Sequence, residues 1–467
     1  MRKIIASILS HPGWTGIGTI VSILALVITY LSLENKTPEP VMVAQPAAVR
    51  APAQERSGNT PTILWEHKIG ISSWRNNPLF VGQNLYVGSS GNTWNSSDFL
   101  DGIYAFEART GKKLWFQPSA IDVNDIAFME GSIVAGNDFG EVVAIAARTG
   151  EVRWRTQLDG AVYAKPAYAD TGIVVATGKG NLYLLDLADG RIIDQTQVDG
   201  GVRAGLVARG SDVFVATESG SIYEFWTFGG FRMSGHVRLV YPDQYGTDLE
   251  SINLPISRYA QLGDGKFSTP SIYASPLLLD DKMIVGFVRQ TGYAYPAVVA
   301  LTLRNGSFID ELIWYGTDVE GTVGGFGNIR FTPAHFEGSL FFGNPYGNEV
   351  YALDAKDGRV LWSTGLGQSM FQHWPSPVVG GGHLYIARHD GYLHKLDPTN
   401  GKRLASIFLG INDSAGLAFV EGDQLPGADF RTQWAPAHAS SIFASPAYSQ
   451  GLVAVGSDEG YLYVVEM

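Results

Sequence analysis

Residues 350–362 read VYALDAKDGRVLW, and this stretch decides the fold. Val350 to Leu353 is a short apolar run of strand-forming residues closed by Asp354. Lys356, Asp357 and Gly358 then supply a polar turn, and Val360-Leu361-Trp362 opens a second strand. A glycine at that turn takes the positive φ that a tight hairpin demands, and alternation along each strand turns one face inward. The same wording returns in IYAFEARTGKKLW (Ile103 to Trp115), VVAIAARTGEVRW (Val142 to Trp154), LYLLDLADGRIID (Leu182 to Asp194) and LHKLDPTNGKRLA (Leu393 to Ala405). Weaker copies lie around Gly229 and Gly306. A period of about 40 residues marks a repeat architecture in which one hairpin-based unit is copied.

A second marker precedes each copy. An aromatic or basic residue stands three places before a proline in RNNP (Pro78), YAKP (Pro166), YASP (Pro276), RFTP (Pro333), WPSP (Pro377) and FASP (Pro446). Matching stretches precede Ile126 and Leu206, which gives eight starts. The last start runs out at Met467 without its final strand, while Ile63-Leu64-Trp65 supplies such a strand before any start has appeared. The expectation is an all-β, eight-bladed β-propeller of four-stranded blades, closed by the N-terminal strand. Closure removes the two free sheet edges that an open ring would expose.

The repeat resembles the PQQ-repeat family, shared by quinoprotein alcohol dehydrogenases and the BamB-like group of envelope assembly factors. The resemblance covers residues 62–467 and implies the propeller fold; function is less constrained, because one fold carries many activities. It implies either a non-catalytic protein-binding scaffold, possible in envelope protein assembly, or a PQQ-dependent oxidoreductase with quinone and Ca²⁺ in the central funnel. A ligand-sensing module is the third reading. The dehydrogenases typically hold the quinone under a vicinal disulfide, and this chain has 0 cysteines. The scaffold reading, with no cofactor, therefore leads.

Composition agrees with strands and tight turns: 45% hydrophobic and 17% charged residues, with 56 glycines and 11 tryptophans. The net charge of −12 is spread along the chain, so no basic stripe is offered to nucleic acid. No zinc-protease, EF-hand, phosphate-loop or nucleophile-elbow motif occurs. The glycine run Gly321 to Gly327 precedes a strand and reads as a blade connection. His373, His383, His389 and His394 fall close in sequence, but strand alternation sends them in different directions.

Residues 13–33, GWTGIGTIVSILALVITYLSL, carry no charge. At ~1.5 Å per residue such a run spans a ~30 Å hydrocarbon slab. Arg2 and Lys3 before it place residues 1–12 in the cytoplasm by the positive-inside bias. The expectation is a single-pass protein of the inner (cytoplasmic) membrane, with a Pro/Ala-rich linker over 34–61 and the propeller, residues 62–467, in the periplasm or outside. The alternative is a signal peptide cleaved after Ala44.

The place three residues before each proline should ring the mouth of the central channel. Its occupants are Arg75, Val123 or Asn124, Tyr163, Arg203, Tyr273, Arg330, Trp374 and Phe443. Three arginines among aromatics suit a carboxylate or an acidic peptide, or else they cap the blade tops by pairing with nearby carboxylates. Lys165, Gln372, His373, Arg388 and His389 stand close behind. Two insertions break the period, Met233 to Ser268 and Asn412 to Ser440. Their aromatics, among them Tyr241, Tyr245, Tyr259, Phe430 and Trp434, suit surface loops that meet partner proteins, here other envelope or membrane proteins.

Overall fold

The computed structural model describes residues 60–247, 259–261, 266–288, 298–315, 329–343, 349–366, 375–409 and 442–467, apart from residues 204, 307, 330 and 389. The expected membrane segment, 13–33, lies outside the described residues, among which no helix is long and apolar enough to cross a membrane. Residues 57–467 form one compact unit.

That unit is an eight-bladed propeller. Blade 1 runs through strands Leu79–Val81, Asn84–Ser89, Gly102–Glu107 and Lys113–Pro118, each antiparallel to the next. Six more units follow in chain order, five of four strands and blade 4 of six, and blade 8 is completed from the other end of the chain. Its three C-terminal strands, Ala447–Ser449, Leu452–Gly456 and Tyr461–Glu466, accept Thr62–Lys68 as the outer strand, with Thr62 opposite Glu466 and Lys68 opposite Tyr461. The expected closure is therefore present. The short first strands of neighbouring blades lie against one another, which puts them innermost.

The core is laid down between blades rather than within them. Leu85, Val87 and Phe106 of blade 1 pack on Ala454, Leu462 and Val464 of blade 8. Tyr86, Ile103 and Ala105 on the opposite face pack on Ile133 and Val143 of blade 2. Period-two alternation thus gives every middle strand two apolar faces, one for each neighbour.

The repeat signature has a physical use at each joint. Asp354 Oδ1 accepts the Lys356 N–H at 2.8 Å, and the Gly358 N–H reaches the Asp354 carbonyl at 2.8 Å. This is why the strand ends in aspartate and the turn in glycine. The outer-strand tryptophan then reaches the next blade. Trp65, Trp115, Trp154 and Trp362 donate their indole N–H to the carbonyls of Ala108, Ala147, Leu187 and Pro398 at 2.8, 2.9, 2.9 and 3.0 Å. Each ring lies over the turn glycine of that blade: Gly111, Gly150, Gly190 and Gly401.

One insertion departs from expectation. Arg232–Thr247 is a single long strand of blade 4, joined in parallel by Tyr259–Gln261 and antiparallel by Phe267–Ser268. Tyr241 is fully buried and belongs to the core shared by blades 4 to 6, so it is no surface contact. The alternation in His236 to Tyr241 extends the sheet past the point where the repeat normally ends.

Candidate functional site

Connections from an outer strand to the next inner strand, and the turns between the two middle strands, meet on one face of the ring. Arg75 lies in the connection entering blade 1, and Asp138 lies in the middle turn of blade 2. Their ion pair, Nη1 to Oδ1, is 3.0 Å long. Asn124 Nδ2 donates to the same oxygen at 2.8 Å. Arg75 is only 5% exposed, and its pairing with Asp138 is the blade-capping arrangement expected as the alternative to ligand binding. It sits with Trp74 at the centre of a turn closed by the Asn76 N–H to the Ser73 carbonyl at 3.0 Å and by Ser73 N–H and Oγ–H bonds to Asn76 Oδ1 at 2.8 and 2.7 Å.

Three of the expected mouth residues come together. The Arg75 guanidinium carbon is 5.0 Å from the centroid of the Tyr163 ring, and that of Arg203 is 4.7 Å from the same centroid. Two like charges share one aromatic ring because each also meets a carboxylate: Asp138 for Arg75, and Glu218 for Arg203 at 2.6 Å. Cation–π attraction adds to this where the groups are part-desolvated. The two pairs differ. The Arg75 pair is buried and hydrogen-bonded, whereas Arg203 and Glu218 side chains are 39% and 28% exposed, and Arg203 Nε has no hydrogen-bond partner despite its short distance to Glu218. The contact is an ion pair with poor alignment.

Trp74 and Trp94, which the repeat pattern did not single out, lie over Arg75 at 5.4 and 5.7 Å. Trp94 is carried by a loop built on carboxylates. Asp122 Oδ2 accepts the Asn95 N–H at 3.1 Å, and Asp101 Oδ2 accepts the Asp98 N–H at 2.7 Å. Burial, helped by the charges of Asp98, Asp122 and Asp138, pushes the Asp101 carboxyl up to about 6. Phe99 on this loop and Phe139, beside Asp138, are 79% and 62% exposed.

Tyr273 and Phe443 stand half-buried at the matching places before the inner strands of blades 5 and 8. Arg330, Trp374, Phe430 and Trp434 lie outside the described residues, as do Gln372, His373 and His389; Tyr245 and Tyr259 fall within the added strands of blade 4. Arg388 is buried and pairs with Asp390 at 3.2 Å. His394 is buried, with Nδ1 2.7 Å from Ser406 Oγ.

Nearer the axis, the residue just before each inner-strand proline forms a belt that sequence reading missed. The Thr332 N–H donates to Ser376 Oγ at 3.0 Å, Ser376 N–H to Ser445 Oγ at 2.9 Å, Ser445 N–H to Asn77 Oδ1 at 2.6 Å, and Asn77 N–H to Asp125 Oδ1 at 3.0 Å. Thr332 Oγ1 also donates to the Ser275 carbonyl at 3.0 Å. Lys165 of blade 3 lowers the Asp125 carboxyl electrostatically, though burial outweighs it and the group is raised. Gly205 of blade 4 completes the circle; a Cβ there would meet Ser275 Oγ at 2.1 Å. The signal was present in the repeated Ser, Thr or Asn before proline.

A quinone with its cation needs a cluster of oxygen ligands. Among the described residues, no three His, Asp or Glu side chains gather to hold a metal ion.

Comparison with known proteins gives a consistent answer. Residues 100–225 and 298–466 match the family described as outer membrane protein assembly factor BamB. The BamB of Shewanella oneidensis is 24% identical over 343 residues, covering 69% of this chain and 75% of the relative. The crystal structure of BamB from Moraxella catarrhalis aligns with a TM-score of 0.58 at 14% identity, over 87% of this chain and 100% of that one. Quinohemoprotein alcohol dehydrogenase from Comamonas testosteroni aligns with a TM-score of 0.58 at 12% identity, over 87% and 76%. At such identities the structural likeness speaks for the fold alone.

Proposed function

Because the chain belongs to the family of the outer membrane protein assembly factor BamB, we propose that it is a non-catalytic, protein-binding scaffold that serves envelope protein assembly. The observation that carries this reading is the ring face on which Arg75, Tyr163 and Arg203 meet beside exposed Phe99 and Phe139. Aromatic and arginine side chains presented on a rigid frame are the residue types that anchor protein partners. A closed ring supplies that frame, and its partners would be other outer membrane assembly proteins.

The uncharged run at 13–33, preceded by Arg2 and Lys3, supports a tether in the inner membrane with the propeller outside the cytoplasm. Here the chain differs from a lipid-anchored arrangement, since it has 0 cysteines to carry a lipid.

Crosslinking in intact cells, followed by purification of the full chain from membranes, tests the reading. Enrichment of outer membrane assembly proteins over a tethered control is expected. Their absence from the crosslinked material, with the protein folded and exported, would sink it. A reporter that works only outside the cytoplasm should be active when fused after Met467, and the chain should stay with membranes through a high-salt wash.

A further inference from the structure

The two halves of the Arg75–Tyr163–Arg203 group are not equivalent. On one side, Asp138 Oδ1 takes hydrogen bonds from Arg75 and Asn124, and the side chains of the ion pair are 6% and 11% exposed. Nothing from solvent can replace that carboxylate without breaking two bonds in a water-poor setting, a costly change. On the other side, Glu218 approaches Arg203 without a hydrogen bond to Nε, and the side chains are 39% exposed for Arg203 and 28% for Glu218. Glu218 itself is anchored through its backbone, whose N–H donates to the Gly201 carbonyl at 2.9 Å. Its side chain occupies the guanidinium without using that group's best geometry, which is two parallel N–H bonds to one carboxylate.

Around this loose pair the site is prepared for a ligand. Tyr163 fixes the Arg203 guanidinium from one side at 4.7 Å, so little side-chain freedom remains to be lost on binding. Gly201 is bare: a Cβ there would meet Glu218 Oε2 at 2.5 Å, so the backbone leaves room for a carboxylate against it. Phe139, in the same turn as Asp138, offers an exposed apolar ring on the same face.

We propose that Glu218 is a built-in placeholder for the carboxylate of an acidic, aromatic-bearing peptide segment, which displaces it from Arg203. The inference rests on the scaffold reading above and adds the chemistry of the partner. The displaced Glu218 carboxylate stays tethered in its turn and swings out to solvent, so binding adds negative charge to the mouth and is driven by the aligned hydrogen bonds that Glu218 does not make. The partner's aromatic residue then covers the rim beside Phe139.

This assigns opposite signs to two neighbouring substitutions. The probe is a fluorescein-labelled eight-residue peptide of alternating glutamate and tyrosine, with a lysine–tyrosine counterpart, titrated against the full chain in detergent by anisotropy. Glu218→Gln removes the competitor and should tighten binding by up to about threefold, the scale of an exposed ion pair. Arg203→Gln should weaken it by about tenfold, the loss of a charge-assisted bond. Arg203→Lys keeps the charge and should recover only part. The lysine peptide should not bind.

Glu218→Gln binding that is unchanged or weaker overturns the placeholder, as does failure of the acidic peptide to bind wild-type and Glu218→Gln protein whose melting curves are normal. The scaffold reading is judged separately by crosslinking. If assembly proteins are captured equally by wild type and Arg203→Gln, the placeholder fails and the scaffold stands. If none is captured by any variant, the scaffold itself fails.

Discussion

Trp65 donates its indole N–H to the carbonyl of Ala108 at 2.8 Å, and through this bond the strand that closes the ring is fastened to the blade that opens it. The same ring lies against Gly111, so a single side chain joins blade 8 to blade 1 by a hydrogen bond and by packing. The junction between the two ends of the chain is thus built like the junctions between blades 1 and 2, 2 and 3, and 6 and 7.

Trp65→Ala should cost about 3 kcal/mol, combining a lost hydrogen bond with the void left by a half-buried indole. Deleting 62–70 removes the strand and its ladder, and should bring soluble yield and melting temperature down further. Denaturant unfolding of the two variants against wild type measures both; an unchanged midpoint in the deletion would mean that the ends do not close the ring.

Gly111 and Gly82 both hold a positive φ, +71° and +60°, but only Gly111 has a neighbour in the way. An added Cβ would sit 2.6 Å from Trp65 Cγ at Gly111 and meet nothing within 4 Å at Gly82. Gly82→Ala should therefore cost about 1 kcal/mol from the backbone alone. Gly111→Ala should cost about 3 kcal/mol or more, because the indole must also move. Equal costs by denaturant titration would count against the tryptophan joint.

Asn77 connects three blades, accepting from the Ser445 N–H and donating to both oxygens of Asp125 at 2.8 and 2.9 Å. Asn77→Ala leaves the Ser445 N–H without its acceptor and the raised Asp125 carboxyl with only the backbone N–H of position 77, and should cost about 2–3 kcal/mol, against about 1 kcal/mol for Ser445→Ala. Amide hydrogen exchange should accelerate at Ser445 in the first variant and at Ser376 in the second.

Two buried groups give blade 4 opposed pH responses. Burial, helped by the charge of Asp212, pushes Glu224 up to about 7 from an ordinary 4.5, against one hydrogen bond from the Ile309 N–H. The folded state thus binds the extra proton between those values, and stability falls as pH rises through this window. Burial drives His236 down to about 4 from an ordinary 6.5, with the Arg238 charge acting in the same direction and Asp199 opposing. Its contribution is present above 6.5 and is lost as pH falls toward 4. In Glu224→Gln, stability should stop falling toward pH 7 and exceed wild type at pH 8 by on the order of 2–3 kcal/mol. In His236→Phe, which keeps the stack on Tyr223, the acid-side loss should disappear. Melting temperatures from pH 4 to 8 read both slopes.

The repeat was legible because its joints are local in sequence: Gly111, Gly150 and Gly401 are needed for turns, and the tryptophans recur at one offset. Closure was legible too, since a missing strand at Met467 and a spare one at Ile63 are visible by counting. The mouth was legible as a set of positions but not as a site. Arg75 is carried by the turn from Ser73 to Asn76, and Arg203 meets a carboxylate on a turn of blade 4; no spacing in the repeat links either arginine to its partner. Tyr241 was misread because a strand that outgrows its blade looks, in sequence, like an insertion. The belt through Ser376, Ser445 and Asn77 escaped notice because serine before proline reads as ordinary turn chemistry.

The pairing of Thr62–Lys68 with Tyr461–Glu466 also sets the order in which the protein can be completed. Of the propeller strands, Thr62–Lys68 is made first and its partner last, so during synthesis it must wait with one edge unpaired while every intervening blade is laid down. Contacts of such sequence separation form late, and a strand kept waiting is a target for wrong pairing. Slow synthesis of this chain would expose Ile63 and Leu64 for longest, and a holding chaperone acting there would govern yield more than any stabilising change within a finished blade.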